Sequence, residues 1–507
     1  MNRPEHVIVL GAGPGGLACA HELAANGIRS TVLERNDYVG GLCRTVEHAG
    51  YRFDLGGHRW FTKNVDLHNW FLRLMEGELV SVDRISRIYH NGKYYNYPLR
   101  VGDVLRNSTL WEIFLIMWGF GMSILRSAVT TRPVRNMEEA YVAQFGRPLY
   151  EMFFRTYSEK VWGRPCDQLS ADWVSQRSAG LSVTDLVKDA LFKKSGRKAG
   201  QKPGQKPGKG HESLIDQFVY PRNGYVRVAE RLAEDVRAAG SEVRLNCAVT
   251  RIVEHGPDRY EVFVSDGGKE SSLTGDAVVS TIPLGLLVRI LEPAPSGEVI
   301  ACAKALEFRD LITVTVMLDI PQVSRDSWVY VQDREVVFGR FHEPGNWSSA
   351  LVPDENHTSL VLECFCTRGD EIWEMSDEDL VARCVDDLVD KLNFLKRENV
   401  IDSCVVRTVN TYPVYDLEYA HKTGTIKQAL QAYEGLHIVG RGGTFRYNNS
   451  DHSIEMGLLL AQKLSGRDVD HLAVNLEQEY HEMRTSEGLQ RDRFVKKTRE
   501  TPEQQSG

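Results

Sequence analysis

The opening of the chain constrains its fold more than any other segment. Residues 6–10 (HVIVL) form a continuous apolar run, which is typical of a parallel strand buried on both faces. A glycine-rich loop follows at residues 11–16 (GAGPGG), and residues 17–26 then carry apolar side chains at helical spacing up to Gly27. A second strand over residues 31–34 ends on Glu34. This pattern predicts a βαβ unit at the start of the chain.

The glycine-rich loop predicts a dinucleotide-binding site. In such a loop the first glycine makes a tight turn, the second lets the backbone approach a pyrophosphate, and the third lets the helix pack closely on the strand. The N-terminus of the helix adds a partial positive charge and free N–H groups. Glu34, 18 residues after Gly16, is placed to accept a hydrogen bond from a ribose hydroxyl, with Arg35 beside it. The predicted loop residues are Gly11, Gly13, Pro14, Gly15 and Gly16.

Composition narrows the class of protein and its partners. The 507 residues have a hydrophobic content of 42% and a net charge of −8, which is ordinary for a globular enzyme and provides no basic field for nucleic acid. The nine cysteines are scattered without a CxxC pair, so we expect reduced thiols and no metal site. The first residues lack the pattern of a signal peptide. We expect a cytoplasmic location.

Two segments are too polar to build a core. Residues 193–213 contain the run KKSGRKAGQKPGQKPGKG, which predicts a flexible basic loop. A role for this loop as a lid or as an anionic-surface element is left open. Residues 480–507 are charged and poor in apolar side chains, which predicts a disordered tail.

Residues 110–125 (LWEIFLIMWGFGMSIL) are the most apolar stretch of the chain. They carry one charged side chain, Glu112, and are shorter than the about 20 residues needed to cross a bilayer. Two interpretations stay open, a buried or homodimer-interface helix and a helix lying in an anionic leaflet as a peripheral membrane contact. The flanking basic residues are Arg106, Arg126, Arg132 and Arg135.

Later segments resemble a known superfamily of flavoproteins. Residues 40–44 (GGLCR) and 53–58 (FDLGGH) are similar to the extended signature of the amine oxidase and protoporphyrinogen oxidase superfamily. The resemblance implies FAD as the cofactor. It places Gly41, Leu42 and Arg44 along the diphosphate and ribityl chain, and Gly57 and His58 beside the isoalloxazine. Further implied contacts come from Val249, which follows a strand at 243–247, and from Gly440, Arg441 and Ser453.

Five segments resemble UDP-galactopyranose mutase-like flavoproteins. They are residues 57–62 (GHRWFT), 157–163 (YSEKVWG), 308–311 (FRDL), 412–415 (YPVY) and 440–451 (GRGGTFRYNNSD). The resemblance implies a glycosyl diphosphate, nucleotide- or lipid-linked, whose anomeric carbon is attacked by N5 of the reduced flavin without net redox. Asn448 stands where the mutase has a tyrosine.

The expected substrate site contains both cations and aromatic rings. Arg309 and Arg441 are candidates to face the phosphates, because guanidinium groups pair well with phosphate oxygens. A flat group could stack on Tyr157 or Trp162. Two roles stay open for His452, contact with the substrate and a structural position next to a helix N-cap. The full set of expected catalytic residues is His58, Tyr157, Lys160, Trp162, Arg309, Arg441, Tyr447, Asn448, Asp451 and His452.

An oxidoreductase is the alternative function. In that case the enzyme would transfer a hydride from its substrate to the flavin, as amine oxidases, protoporphyrinogen oxidases and desaturases do. For either function we expect an α/β fold with a discontinuous Rossmann-type FAD domain, glutathione reductase-like, from residues 1–75, 215–290 and 430–465. A mixed α+β substrate domain would take residues 76–192 and 291–429.

Overall fold

A computed structural model describes residues 3–97, 99, 101–129, 134–174 and 217–475. The predicted basic loop at 193–213 and tail at 480–507 lie outside these residues. Twenty strands are assigned in chain order. They are β1 (His6–Leu10), β2 (Arg29–Leu33), β3 (Thr45–His48), β4 (Tyr51–Asp54), β5 (Leu79–Asp83), β6 (Ser86–His90), β7 (Lys93–Asn96), β8 (Gln217–Pro221), β9 (Glu242–Arg244), β10 (Cys247–Gly256), β11 (Arg259–Asp266), β12 (Lys269–Gly275), β13 (Ala277–Ser280), β14 (Leu291–Glu292), β15 (Phe308–Leu318), β16 (Trp328–Val331), β17 (Arg340–His342), β18 (Thr358–Cys366), β19 (Val400–Pro413) and β20 (Leu436–Ile438).

Fifteen α-helices connect these strands within the described residues. They are α1 (Pro14–Ala25), α2 (Val65–Leu74), α3 (Val101–Asn107), α4 (Leu110–Val129), α5 (Met137–Phe145), α6 (Arg147–Tyr150), α7 (Thr156–Trp162), α8 (Val226–Ala238), α9 (Leu284–Arg289), α10 (Gly297–Lys304), α11 (Glu371–Glu374), α12 (Asp377–Asp386), α13 (Tyr419–Leu430), α14 (Gly440–Thr444) and α15 (Ser450–Leu464).

A five-stranded parallel sheet in the order β20-β13-β1-β2-β9 forms the cofactor end of the molecule. Alternate residues of β1 point to opposite sides. Val7 and Val9 pack against helices α1, α8 and α15, whereas Ile8 and Leu10 pack against the antiparallel strands β10–β12 and helix α9. Because both faces are covered, every residue of β1 after His6 is buried, as its apolar run predicts.

A seven-stranded mixed sheet in the order β19-β15-β18-β17-β16-β6-β7 forms the other half. Strand β18 is buried along its whole length and β15 at every residue after Phe308, and helix α12 covers one face through Leu380 and Cys384. Strands β3 and β4 form a separate two-stranded sheet that packs on the seven-stranded sheet, and Thr313 of β15 donates a hydrogen bond to the Leu55 carbonyl just after β4. The architecture confirms an α/β fold in which a Rossmann-type sheet is joined to a second, mixed α+β sheet.

Several predicted boundaries need correction. The predicted strand at 243–247 is two strands, β9 and β10, because Asn246 adopts the left-handed conformation (φ 56°) and turns the chain between them. Helix α15 begins at Ser450, directly after its N-cap Asn449. Helix α4 extends four residues beyond the predicted 110–125.

Helix α4 is not buried within its own chain, so the buried-helix interpretation is wrong, whereas a homodimer interface and a peripheral membrane contact both stay open. Trp111 and Trp118 are 66% and 63% exposed, and further large apolar side chains of the same helix are also exposed. No helix among the described residues is long and apolar enough to cross a membrane.

The nine cysteines all lie within the described residues, and none is paired in a disulfide. The nearest pair is Cys364 and Cys384, whose Sγ atoms are 3.9 Å apart in the core beside helix α12. Burial raises the pKa of several of these thiols, including that of Cys43 to about 12. The prediction of reduced thiols agrees with this arrangement.

Candidate functional site

In the turn from β1 to α1, one glycine has free space beside it, whereas the other glycines lie too close to neighbouring atoms to carry a side chain. Gly11 has φ +102°, and a Cβ there would lie 2.3 Å from Thr281 Oγ1. A Cβ on Gly15 would lie 3.0 Å from the Ser453 carbonyl oxygen, and one on Gly16 would lie 2.3 Å from the Gly11 carbonyl oxygen. A Cβ on Gly13 would meet nothing within 4 Å. The loop is therefore packed on three sides and open where a pyrophosphate would approach.

Glu34 directly follows strand β2 and places a buried carboxylate beside this loop. Its Oε2 accepts a hydrogen bond from the Ala12 N–H at 2.9 Å, and its Oε1 accepts from the Asn36 N–H at 3.0 Å. The carboxylate has lone pairs left for a ribose hydroxyl. Strand β10, which carries Val249, starts at the same place, because the Cys247 N–H donates to the Glu34 carbonyl. Arg35 is exposed at the rim.

A second loop faces the glycine-rich turn. The Gly40 N–H donates to the Ala12 carbonyl at 2.9 Å, and a Cβ on Gly41 would lie 3.5 Å from Gly13 Cα. The Arg44 guanidinium lies 4.0 Å from the ring centroid of Tyr38. Together the two loops form a concave surface, which we call the cradle; contact of Gly41 and Arg44 with a dinucleotide diphosphate stays a prediction.

A cleft of about 980 Å³, including its open mouth, lies between the two sheets. It begins at Leu42, next to the cradle, and extends to the strands of the mixed sheet. Its lining combines cationic, aromatic and neutral polar side chains. The lining residues are Leu42, Leu55, Gly56, Gly57, His58, Arg59, Phe61, Trp328, Tyr330, Arg340, Thr408, Thr411, Tyr412, Arg441, Tyr447, Asn449, Ser450 and Asp451.

Arg340 supplies one cation of the cleft and is paired with a fully buried carboxylate. Strands β17 and β18 place Arg340 directly opposite Glu363. The guanidinium makes a two-point contact with the carboxylate, with Nε 2.8 Å from Oε1. Glu363 has no exposed surface, so the pair lies under the cleft and only the arginine faces it. Such a bidentate contact holds the guanidinium plane in one orientation.

Arg441 supplies a second cation beside two stacked tyrosines. Its Nε donates to the Asn448 carbonyl at 2.8 Å, and its Nη1 donates to the Thr411 carbonyl at 3.1 Å. The rings of Tyr412 and Tyr447 are nearly parallel, 5.6 Å apart, and the Arg441 guanidinium lies 5.4 and 4.8 Å from their centroids. The structure therefore brings the predicted residues Arg441 and Tyr447 into the cleft.

His58 stands between these two cations. Burial, with the charges of Arg441 and Arg340, lowers the pKa of the imidazole to about 3. The ring is therefore neutral at physiological pH. Its Nδ1 is buried and has no hydrogen-bond partner among the described residues. The ring packs against Tyr225 at 5.5 Å between centroids, and the Tyr225 hydroxyl contacts Ser450 Oγ at 2.6 Å.

The N-terminus of helix α15 opens on the same cleft. Asn449 caps the helix, and the Asn449 N–H donates to Nδ1 of His452 in a capping box. The structure therefore shows His452 in the capping role that the sequence left open. Burial raises the pKa of Asp451 at the cleft wall. Ser453 lies one turn further in, where its carbonyl contacts Gly15. The positive end of a fifteen-residue helix thus points toward the cofactor region.

Two predicted site residues do not reach the cleft. The Arg309 guanidinium donates to the carbonyls of Val161 and Lys160 and to the Thr367 hydroxyl. The structure gives Arg309 a role in joining helix α7 to the mixed sheet, in place of the expected phosphate contact. The Lys160 ammonium is equally occupied, because it donates to the carbonyls of the turn between β16 and β17, including that of Asp333 at 2.7 Å. Burial lowers the pKa of Lys160 to about 8.

Three more predicted residues lie behind the cleft wall. Trp162 is 2% exposed and packs edge-on against Trp173 and Tyr447. Burial raises the pKa of Tyr157 well above its usual value. Asn448 is 1% exposed, and its amide contacts the Met456 sulfur. None of the three lines the cleft.

Sequence reasoning missed several residues that line the cleft. Arg340 and Glu363 are 23 positions apart, and no local motif marks either of them. The sequence feature that could have revealed them is a charged residue of each sign within an apolar β-strand sequence. A charge that is buried in a strand needs an oppositely charged partner on a neighbouring strand. Trp328, Tyr330, Thr408 and Thr411 were also missed, whereas Tyr412 belongs to the segment 412–415 that the sequence had singled out.

Comparisons with known proteins agree with this geometry. The profile of the family described as Flavin containing amine oxidoreductase matches residues 14–442. A phytoene desaturase of Fusarium fujikuroi is 25% identical over 306 residues, which are 57% of this chain and 51% of that protein. An L-amino-acid oxidase of Crotalus adamanteus is 24% identical over 296 residues, 55% and 51% of the two chains. This chain spans at most about half the length of the curated relatives it matches.

Solved structures share the fold over nearly the whole chain. The structure described as reduced UDP-galactopyranose mutase has a TM-score of 0.77 and 21% identity, covering 94% of this chain and 98% of that one. The expected superfamily, the fold class and FAD as the cofactor are therefore confirmed.

Proposed function

Because the chain belongs to the flavin-containing amine oxidoreductase family, we propose that it removes a hydride from a polar substrate that carries an acidic group. Bound FAD would supply the chemistry of two-electron acceptance. The names of the curated relatives, a desaturase and an oxidase, favour this oxidoreductase function over the mutase-like function that the sequence motifs suggest. The residues of this chain would bind and orient the substrate.

The observation that carries the proposal is the pair of oriented guanidinium groups in the cleft. Arg340 is held by Glu363, and Arg441 is held by two backbone carbonyls, so both cations are positioned without a ligand. A hydrocarbon substrate would cover these guanidinium groups without offering them a hydrogen-bond acceptor, which is unfavourable. A carboxylate or phosphate would pair with them and gain charge-assisted hydrogen bonds. The cleft therefore favours an anionic substrate.

The neutral imidazole of His58 fits a role in orientation. With a pKa near 3 it carries no charge that would compete for the acidic group. Its ring nitrogens can donate one hydrogen bond and accept another. The phenol groups of Tyr330, Tyr412 and Tyr447 and the indole of Trp328 line the rest of the cleft and exclude water from the reacting atoms.

Anaerobic reduction of the bound flavin tests the proposal. The FAD-loaded protein is mixed without oxygen with four classes of compound, namely amino acids, hydroxy acids, glycosyl phosphates and an uncharged polyene. We expect an acidic member to bleach the oxidised flavin and the polyene to leave it unchanged. Bleaching by the polyene alone would contradict the proposed substrate class.

A redox-neutral rearrangement of a glycosyl diphosphate is the second candidate function. It is favoured by the place of Arg441 over the parallel rings of Tyr412 and Tyr447, with Arg340 in the same cleft. Two cations beside stacked aromatic rings suit a diphosphate joined to a flat base.

The two candidate functions can be distinguished by the oxidation state of the flavin that each of them requires. A hydride-removing enzyme starts with oxidised flavin and reduces it once per turnover. A mutase-like enzyme would need the flavin reduced beforehand and would leave it reduced. Conversion of a UDP-sugar to an isomer of equal mass, seen only after dithionite reduction, would favour the second candidate.

A further inference from the structure

Helix α4 presents a wide apolar face to solvent, which we call the α4 face. At 100° per residue its eight exposed apolar side chains fall within an arc of about 160°. The rings of Trp111, Phe114 and Trp118 form a row, with centroids 5.4 and 6.3 Å apart. The face consists of Leu110, Trp111, Phe114, Leu115, Met117, Trp118, Met122 and Leu125.

The α4 face concentrates apolar surface that the rest of the described chain lacks. Of the fourteen exposed large hydrophobic side chains in the described residues, these eight lie on one helix, and the others are scattered. A solvent-exposed helix normally carries charged residues on its outer side. The single charged residue of the 110–125 stretch, Glu112, is turned to its own N-cap and accepts hydrogen bonds from Thr109. A contiguous apolar surface of this kind marks a binding site.

The opposite side of α4 is tightly anchored to the protein. A Cβ on Gly119 would lie 2.4 Å from Pro148 Cδ, and one on Gly146 would lie 2.9 Å from the Gly119 backbone. Ile116 packs on the core that contains Trp162 and Tyr412, behind the cleft wall. The helix is therefore a rigid part of the molecule, and its outer face cannot turn inward without breaking these contacts.

Basic residues flank the helix in sequence. Arg106, in the last turn of helix α3, and Lys93, which donates to the Asn107 carbonyl, are exposed before its first residue, and Arg135 is exposed six residues after Val129, its last residue. Among the carboxylates of helix α5 and of the residue that follows helix α6, those of Glu138 and Glu151 are paired with Arg147, and that of Glu139 accepts a hydrogen bond from the Arg135 N–H. An apolar face with Trp side chains and cations at its ends complements a layer of acyl chains below anionic headgroups.

A second copy of the chain fits this face less well. A stable dimer interface takes about 20–30 residues a side. The α4 face offers eight apolar residues on a single helix, and beyond its ends the neighbouring surface is charged. Self-association there would bring the same basic residues of two copies close together around a twofold axis.

We propose that the α4 face docks onto an anionic phospholipid bilayer, with the helix lying in the plane of the interface. The apolar side chains would enter the boundary between headgroups and acyl chains, and the arginines at the ends would contact phosphates. This inference is independent of the reaction proposed above, because it uses none of the cleft residues.

Sedimentation with phospholipid vesicles tests the proposal on the FAD-loaded, full-length protein. We expect the protein to pellet with vesicles of phosphatidylcholine and phosphatidylglycerol, and less with phosphatidylcholine alone. The triple variant Trp111→Ser/Phe114→Ser/Trp118→Ser should bind the mixed vesicles at least about tenfold more weakly, because three half-exposed rings no longer enter the bilayer. The variant Arg106→Glu/Arg135→Glu should lose the preference for phosphatidylglycerol.

A matched control removes exposed apolar side chains elsewhere. The variant Ile401→Ser/Leu417→Ser changes two side chains that are 51% and 56% exposed, and it should bind vesicles as the unchanged protein does. Flavin absorbance and thermal unfolding confirm that each variant is folded. Protein that stays in the supernatant with both kinds of vesicle would overturn the proposal. So would a dimer of the unchanged protein that the triple variant turns into a monomer, since the face would then bind a second copy.

Discussion

At the scale of single residues, the proposed function depends on two arginine side chains that are held in place before any substrate binds. The Arg340–Glu363 pair is local to one ladder of the mixed sheet, with the two residues in register on β17 and β18. Arg441 depends on the backbone of the turn after α14. The sequence predicted Arg441 from a motif, but Arg340 could be found only after the strands were paired.

Removing the arginine should leave a buried charge without its partner. We expect Arg340→Gln to lower the free energy of unfolding by about 3 kcal/mol, because the fully buried Glu363 carboxyl group then loses its counter-ion. The double variant Arg340→Gln/Glu363→Gln should regain most of that loss while activity on the acidic substrate stays low. Urea unfolding and kcat/KM measure the two effects. Equal stability of both variants would show that the pair is not coupled.

Replacement of His58 in the cleft should lower activity without changing the shape of the pH profile. His58→Ala removes a neutral hydrogen-bonding group from the cleft, and we expect kcat/KM to fall at least about tenfold. Since the pKa of His58 is about 3, its protonation lies below the range in which the enzyme is assayed. The unchanged enzyme and the variant should therefore have pH profiles of the same shape between about pH 5 and 8. A limb near pH 6.5 that disappears in the variant would contradict a neutral His58.

At the scale of the secondary-structure elements, the β1 to α1 turn was predicted almost completely. Its spacing, its glycines and the burial of β1 follow from local sequence, since a tight turn and a strand covered on both faces leave few alternatives. The strand at 243–247 was predicted poorly, because Asn246 turns the chain in a conformation that a propensity argument does not anticipate. Arg309 and Lys160 were misplaced for a different reason. A motif shows which residues recur near a site, but it does not show which carbonyls a long cation will reach.

The open position in that turn gives an element-level prediction. Gly13→Ala should fold normally, because the new Cβ meets no protein atom within 4 Å, yet FAD should bind at least about tenfold more weakly. Titration of the apoprotein with FAD measures the affinity, and thermal unfolding of the apoprotein measures the fold. Gly297→Ala is the matched control, since its Cβ also meets nothing and the residue lies away from the cradle. Unchanged FAD affinity in Gly13→Ala would contradict the placement of the diphosphate.

At the scale of the whole molecule, buried neutral histidines should make the protein sensitive to mild acid. Burial lowers the pKa of His342 and His437 to about 3 and that of His471 to about 4, from an ordinary value of 6.5. Below pH 6.5 the unfolded chain binds these protons and the folded protein does not. Stability is therefore full above pH 6.5 and falls by about 1.4 kcal/mol per pH unit for each histidine as the pH approaches 4.

Three buried carboxyl groups, those of Asp54, Glu343 and Asp451, oppose this trend over part of the range, because burial raises the pKa of each. Burial raises the pKa of Asp54 to about 6 from 3.8, so the folded protein binds that proton first and gains stability as the pH falls from about 6 to 4. Urea unfolding between about pH 7 and 5 should still show a net loss. In the variant His437→Gln/His471→Gln, the plot of the free energy of unfolding against pH should have a smaller slope, by an amount that corresponds to about two protons. An unchanged slope in this variant would show that the two histidines are charged in the folded protein.

The division of the molecule into two sheets could also be predicted in outline. The superfamily resemblance gave the Rossmann-type sheet and FAD, because those motifs recur at fixed spacing along the chain. The contents of the cleft were harder to predict, since they come from strands that are adjacent only after the seven-stranded sheet has formed. The exposed α4 face was visible as an apolar run, but its outward orientation required the contact of Gly119 with Pro148.

The most direct test of the central claim is the mass of the product after one anaerobic turnover. The FAD-loaded enzyme is mixed with an acidic substrate that bleaches the flavin, and the reaction is stopped after a single turnover. If the enzyme removes a hydride, we expect one equivalent of product for each equivalent of reduced flavin, and the product should be lighter than the substrate by two hydrogen atoms. A product of unchanged mass, formed only when the flavin was reduced beforehand, would contradict hydride removal and favour the redox-neutral rearrangement.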